Sequence, residues 1–198
     1  MSESHNHNVL KLLAVEFLYQ VKKCKWVTTE LKFGNYIYDV CGTDGSSIYI
    51  VESKSRHQDF KRDCNDPKVI KENIKEYKRL LKETGDTDYQ DKIHKEKDKS
   101  IKFFDESIFK LASSAYIIAP KDIIEEDEVP KGWGLLDDEP MTVIPAPQRK
   151  IDKKWISKIM GEIGKKHTKM YLKQIGVEFE GKRVIFPDYK LLQEEDDG

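Results

Sequence analysis

Long apolar runs are missing from this sequence, and so is any excess of charge of one sign. The most hydrophobic stretch near the start, from Val9 to Val21, is broken by Lys11, Glu16 and Gln20. It has neither a basic leader nor a small-residue cleavage site, so neither a transmembrane helix nor a signal peptide is expected. Cysteine is scarce: Cys24, Cys41 and Cys64 show no CxxC spacing and cannot all pair with one another, which argues against a disulfide framework and a zinc ribbon. A reducing, cytoplasmic setting and no membrane partner fit these absences. No glycine-, serine- or proline-rich linker divides the 198 residues, so a single domain spanning 1–198 is expected. The formal net charge of -1 gives no global attraction to nucleic acid, and any such binding must come from local asymmetry.

What is present is charge and a sharp segmental pattern. Asp, Glu, Lys and Arg make up 36% of the chain and the mean hydropathy is -0.69, as for a protein with much exposed helix. His5 and His7 lie in a polar segment with no neighbouring ligand and read as tail. Val9 to Val21 carries apolar residues at helical spacing, with Glu16 among them. Trp26 to Phe33 alternates as a first strand, and Gly34-Asn35 turns into a second. Tyr36 to Val40 and Ile48 to Val51 are aromatic or β-branched and flank a cluster of turn formers from Gly42 to Ser47, which predicts a hairpin. Ser55 to Asp59 predicts a helix entry capped by Ser55, interrupted at Asp66-Pro67. Lys68 to Lys102 is more than half charged and predicts a helical excursion whose solvated face carries no chemistry. Phe103 to Leu111 reads as a helix, Ala115 to Ala119 as a buried, parallel strand, and Val129 to Leu136 with Met141 to Ile144 as a final strand or strand pair. A basic helix comes next within 149–174, and Gln193 to Gly198 is an acidic tail.

The hairpin carries the chemistry. If its turn centres near Gly45 and Ser46, Asp39 lies across from Glu52, and the alternation of a strand puts Lys54 on the face of Glu52. Two carboxylates and an ammonium then converge at one strand end. Phosphodiester hydrolysis needs an activated water and relief of phosphate charge. Magnesium supplies both when a few hard oxygen ligands leave it open positions. Asp39, Glu52 and the carbonyl of Ser53 are such ligands, and Lys54 suits orientation of the water or charge stabilisation. The bland account is a salt bridge from Lys54 to Asp39 or Glu52 at a sheet end. Glu16 is either an accessory carboxylate aimed at the mouth of the sheet or a solvent-facing residue, and Glu30 is open in the same way.

The run YDVCGTDGSSIYIVESKSRHQDF resembles the core of the PD-(D/E)XK nuclease superfamily, and within it the MmcB-type DNA repair proteins. The matching elements are Asp39-Val40, Ile48 to Val51, Glu52-Ser53-Lys54-Ser55, Asp59-Phe60 and the later segment Pro130 to Leu135. The resemblance covers about Val9 to Ile144 without the charged excursion. It implies an α/β, restriction-endonuclease-like core, a central mixed sheet flanked by helices in the order helix, three strands, helix, strand. It further implies Asp39 and Glu52 as magnesium ligands, with manganese as a substitute, Lys54 as the catalytic lysine, and Glu16 as the glutamate that members often add from the first helix. The 68–102 excursion and the 149–174 helix fall outside that pattern.

The expected activity is therefore magnesium-dependent hydrolysis of DNA in repair or processing. The alternative is a non-catalytic nucleic-acid-binding or adaptor protein on the same fold. Between Arg149 and Lys173 nine basic residues stand against Asp152 and Glu162, and Arg149, Lys153 and Lys154 begin that run. Arg56, His57, Lys61 and Arg62 come directly after the Glu52 to Lys54 triplet and are the candidates for holding the scissile strand. DNA is the expected partner, with RNA and a second copy of the chain as further candidates.

Overall fold

The computed structural model describes residues 2–139, 142–174, 176–180 and 183–185. The expected acidic tail at 193–198 and Met141 of the last expected strand lie outside them. The first helix, α1 (Ser2–Gln20), runs seven residues further toward the N-terminus than its apolar pattern predicts. The His7 segment is therefore helix, not tail. Three strands come next as a meander, β1 (Trp26–Phe33), β2 (Tyr36–Thr43) and β3 (Ile48–Ser53). The hairpin turn between β2 and β3 is built by Asp44, whose carboxylate accepts from the backbone N–H of Ser46 and Ser47, with Gly45 at φ 97°.

After β3 the chain forms α2 (His57–Asp63), then α3 (Pro67–Thr84) and α4 (Asp88–Lys97). The expected cap at Ser55 is not used; Arg56 occupies the cap position of α2, and its side chain does not cap the helix. Asp66-Pro67, expected as an interruption, instead starts a new helix. Asp66 accepts from the Lys68 N–H and Pro67 takes the first turn, where a missing N–H costs nothing. The α3–α4 hairpin stands apart from the core. No residue of α3 is buried, and Ile93 and Glu96 are the buried residues of α4. Asn65 closes its base by donating to the carbonyls of Arg62 and Ser100.

The helix expected over Phe103 to Leu111 is two short pieces, a 3-10 turn at Lys102–Phe104 and α5 (Ile108–Leu111). Asp105 separates them, because its carboxylate accepts from the Ser107 N–H and from the Tyr36 hydroxyl. β4 (Ser114–Ile118), β5 (Trp133–Leu136), β6 (Thr142–Ile144), α6 (Lys153–Gln174) and a separate small hairpin of β7 (Glu178–Glu180) and β8 (Arg183–Ile185) complete the order.

The main sheet has six strands in sequence order, β1 to β6, antiparallel through β3, parallel from β3 to β5 and antiparallel at β6. β4 is parallel to both neighbours, where the helix that precedes it predicts a parallel partner on one side. Helices cover both faces. Leu10, Ala14, Phe17 and Leu18 of α1 pack on Val40, Val51, Tyr116 and Ile118, while Phe60 of α2, Phe103, Ile108 and Ile159 of α6 pack on Tyr38, Ile50, Ile117 and Trp133. Gly134 is required where β5 passes the chain after β6: a Cβ there would stand 2.6 Å from the Ala146 nitrogen and 2.7 Å from the Ile144 oxygen.

A kink in the sheet sets up the site. On β1, Val27 packs in the α1 layer, but Leu31 and Phe33, of the same parity, pack in the opposite layer. On β2, Val40 packs with α1 and Tyr38 does not. Strict alternation would keep each set on one face. The switch falls at Glu30 and Asp39, the one position skipped in the β1–β2 register, and Glu30 adopts φ 48°, a left-handed conformation rare for a residue with a side chain.

Candidate active site at the end of the hairpin

Asp39 stands where β2 and β3 part. Their ladder ends at Val40 paired with Val51, and the same register puts Asp39 opposite Glu52 one step further. In place of a backbone bond, the Asp39 carboxylate accepts the Ser53 N–H at 2.8 Å. The side chain thus replaces a ladder hydrogen bond and holds the diverging strands together. Its other oxygen lies 3.5 Å from His7 Nε2 and 3.8 Å from Lys11 Nζ, both on α1. Lys11 also bonds Glu30 at 2.6 Å, and Lys166 of α6 donates to the carbonyls of Thr29 and Glu30. The kink is thereby gripped from both faces of the sheet.

Glu52 continues the inward face of Ile48 and Ile50 and is buried to 2% exposure. A carboxylate there has lost its hydration, a loss that costs several kcal/mol unless it is compensated. Lys102 Nζ lies 2.6 Å from Glu52 Oε1, off the line of a well-formed hydrogen bond, and donates to the Ile37 carbonyl at 2.8 Å. Burial is the largest influence on Glu52 and pushes its carboxyl up to about 7, against the pull of Lys102 and Lys54 and with the help of the Asp39 charge. Tyr38 and Tyr36 line the Lys102 ammonium with their rings, at 5.2 and 5.9 Å to the centroids.

Lys54 lies over the Phe103 ring, 5.4 Å from its centroid, and bonds Asp63 of α2 at 2.6 Å. The bland expectation of a bridge from Lys54 to Asp39 or Glu52 therefore gives way to a third carboxylate. Burial raises the Asp63 carboxyl, but its hydrogen bonds to Lys54 and Ser100 outweigh this and leave it below the ordinary range. Among the described residues no group of three His, Cys, Asp or Glu side chains comes together as a metal-binding cluster.

Of the residues predicted from sequence, Asp39, Glu52, Ser53 and Lys54 come together. Glu16 does not join them. It is exposed on α1, five residues on from Lys11 and so about 140° round the helix from it. The α1 positions that reach Asp39 are His7 and Lys11. The Glu30 carboxylate is largely exposed and bound to Lys11.

The candidate strand-holding residues are engaged in pairs. His57 and Lys61 contact Glu128 at 2.9 and 2.6 Å, and Arg56 and Arg62 contact Asp59 at 3.7 and 3.0 Å. Arg149 is built into the fold, donating to the Gly132 carbonyl at 2.9 Å with its guanidinium 3.9 Å from the Phe109 centroid. Lys154 pairs with Asp152, while Lys153 is exposed on the first turn of α6. A cleft lined by Phe103, Phe104, Phe109, Lys131 and Arg149 lies against the same Phe103 ring that carries Lys54.

Sequence reasoning missed Lys102, Lys11, His7 and Asp63. Lys102 closes a run of charged residues and has no local signal separating it from its neighbours. His7 reads as tail from the sequence; only with α1 extended to Ser2 does the helical period set His7 and Lys11 on one face, four residues apart.

No family model matches the chain, and no curated protein matches it. Among solved structures it is similar to SPO1766, a protein of unknown function from Silicibacter pomeroyi. The two share 13% identity over 73% of this chain and 75% of that one, with a TM-score of 0.45, a likeness too slight to carry an argument. Among the described residues no helix is long and apolar enough to cross a membrane.

Proposed function

We propose that the chain is a metal-dependent nuclease of the PD-(D/E)XK type, with a restriction-endonuclease-like core and DNA as its substrate. The observation that carries this reading is the pairing of Asp39 and Glu52 across the open end of the β2–β3 ladder, with Lys54 two residues beyond Glu52. The donor set suits magnesium or manganese, since Asp39, Glu52 and the Ser53 carbonyl are hard oxygens, and the buried Glu52 charge demands a cation. Bound there, the metal would lower the pKa of a water and offset phosphate charge. The chain's own part is to hold Asp39 by the Ser53 N–H, to keep Glu52 in a dry setting that strengthens its interactions, and to present Lys54 beside the scissile group. Phosphates of a bound strand have the exposed lysines of α6, Lys153 and Lys158 among them, within the same domain.

The second reading, a metal-independent nucleic-acid-binding or adaptor protein, draws support from a specific observation. Each charge of the triad already has an internal partner: Asp39 has His7 and Lys11, Glu52 has Lys102, and Lys54 has Asp63.

Cleavage of labelled DNA with magnesium separates the two. The wild type is expected to cut, and Lys54→Ala to lose about 100-fold or more of the rate while keeping its circular dichroism spectrum. A variant that cuts at the wild-type rate removes the mechanism, and a wild type that binds DNA without cutting it favours the adaptor. RNA offered in competition decides between the two nucleic acids.

A further inference from the structure

The charged excursion ends in the candidate site. Lys102 is the first residue after the α3–α4 segment to re-enter the core, and it is 9% exposed, whereas α3 buries nothing. The next residue, Phe103, fixes its place. Phe103 packs on Phe60 and edge-on against Trp133, with centroids at 5.7 and 4.8 Å, and its carbonyl accepts from Trp133 Nε1 at 3.0 Å. A 3-10 turn thus anchored leaves the Lys102 side chain one course, along the rings of Tyr36 and Tyr38 to Glu52 and the Ile37 carbonyl. An ammonium takes up charge and hydrogen-bonding space on a carboxylate oxygen that an incoming divalent cation would need.

We propose that Lys102 is the resident cation of Glu52, delivered by the excursion, and that it competes with a divalent metal for this carboxylate. The inference rests on the proposed Asp39/Glu52 metal site. It gives the 68–102 segment a role, that of setting the metal affinity of the site. Metal entry then requires the Lys102–Glu52 contact to be given up, so the free energy of that contact is subtracted from the free energy of metal binding.

Manganese titration by calorimetry, with thermal unfolding of each protein with and without the metal, tests the proposal on wild type, Lys102→Met and Lys102→Gln. Lys99→Met serves as the control: it removes the same charge from a residue that pairs with Glu96 outside the site. Lys102→Met is expected to bind manganese on the order of tenfold or more tightly than wild type and Lys99→Met, and to gain more in melting temperature from the metal than wild type does. Lys102→Gln, which keeps a donor for the Ile37 carbonyl, supplies the same comparison if Lys102→Met does not fold alone. Equal or weaker affinity in the Lys102 variants overturns the competition while leaving the metal site standing. No manganese bound by any of the proteins removes the metal site itself, and the competition with it.

Discussion

Glu52 and Glu128 each have a lysine at 2.6 Å, and their surroundings drive them in opposite directions. Glu52, at the end of β3, is paired with Lys102, and burial pushes it up to about 7. Glu128, on the surface near α2, is paired with Lys61 and His57, and those hydrogen bonds bring it down to about 2. Distance to a cation is the same; water is not. At the surface, solvent still reaches the carboxylate and the partners simply add to its hydration. In the core, loss of hydration exceeds what one ammonium returns. A buried carboxylate left short of charge compensation is the more informative of the two, because such a group persists only where the fold over-determines it or its chemistry is needed.

The largest effect expected from breaking this contrast is at Lys102. Lys102→Met leaves the Glu52 charge buried without its partner and should destabilise the protein by about 3–5 kcal/mol at pH 8 in urea unfolding. The loss should shrink at pH 5, where Glu52 takes up a proton, and adding Glu52→Gln should recover much of it.

Next in size is the pH dependence of wild type. The folded-state pKa of Glu52 is raised above its unfolded value, so between about 4.5 and 7 the native protein keeps a proton that the unfolded chain has released. Glu52 therefore makes stability fall as pH rises through that window, by on the order of 1–3 kcal/mol, and its contribution is flat above. The groups that face it, Lys102, Lys54 and Asp39, set the size of the step. Unfolding free energies measured from pH 5 to 8 should lose this slope in Glu52→Gln. An unchanged slope would show that Glu52 is ionised throughout.

The smallest effect is at the surface pair. Lys61→Ala should cost about 0–1 kcal/mol and less in high salt. The depressed Glu128 makes a contribution that is present above about 4.5 and is lost as pH falls toward 2, the reverse of Glu52. A cost at Lys61 as large as that at Lys102 would mean that the surface pair is shielded from water after all.

The place of Glu52 was legible before any fold was known, whereas its cation and the Glu128 pair were not. The hairpin and the Asp39–Glu52 register come from alternation and turn chemistry, which act over a few residues. The helix expected at Phe103 to Leu111 failed because Asp105 is recruited by Tyr36, 69 residues away, and that bond outweighs local propensity. Glu16 was a candidate through its place on the first helix and through the resemblance, yet the rotation of α1 brings His7 and Lys11 to Asp39 instead.

The sequence alone indicated the β1–β3 meander, a buried parallel strand near 115–119, and Asp39 across from Glu52 at the end of the hairpin. These depend on side-chain period, turn residues and apolar runs, all local. The tertiary structure decided which cation each carboxylate meets: Lys102 for Glu52, Lys11 for Asp39, and Lys54 for Asp63. Those partners lie 50, 28 and 9 residues apart along the chain, and a lysine in a charged run carries no mark of whether packing will take it from water.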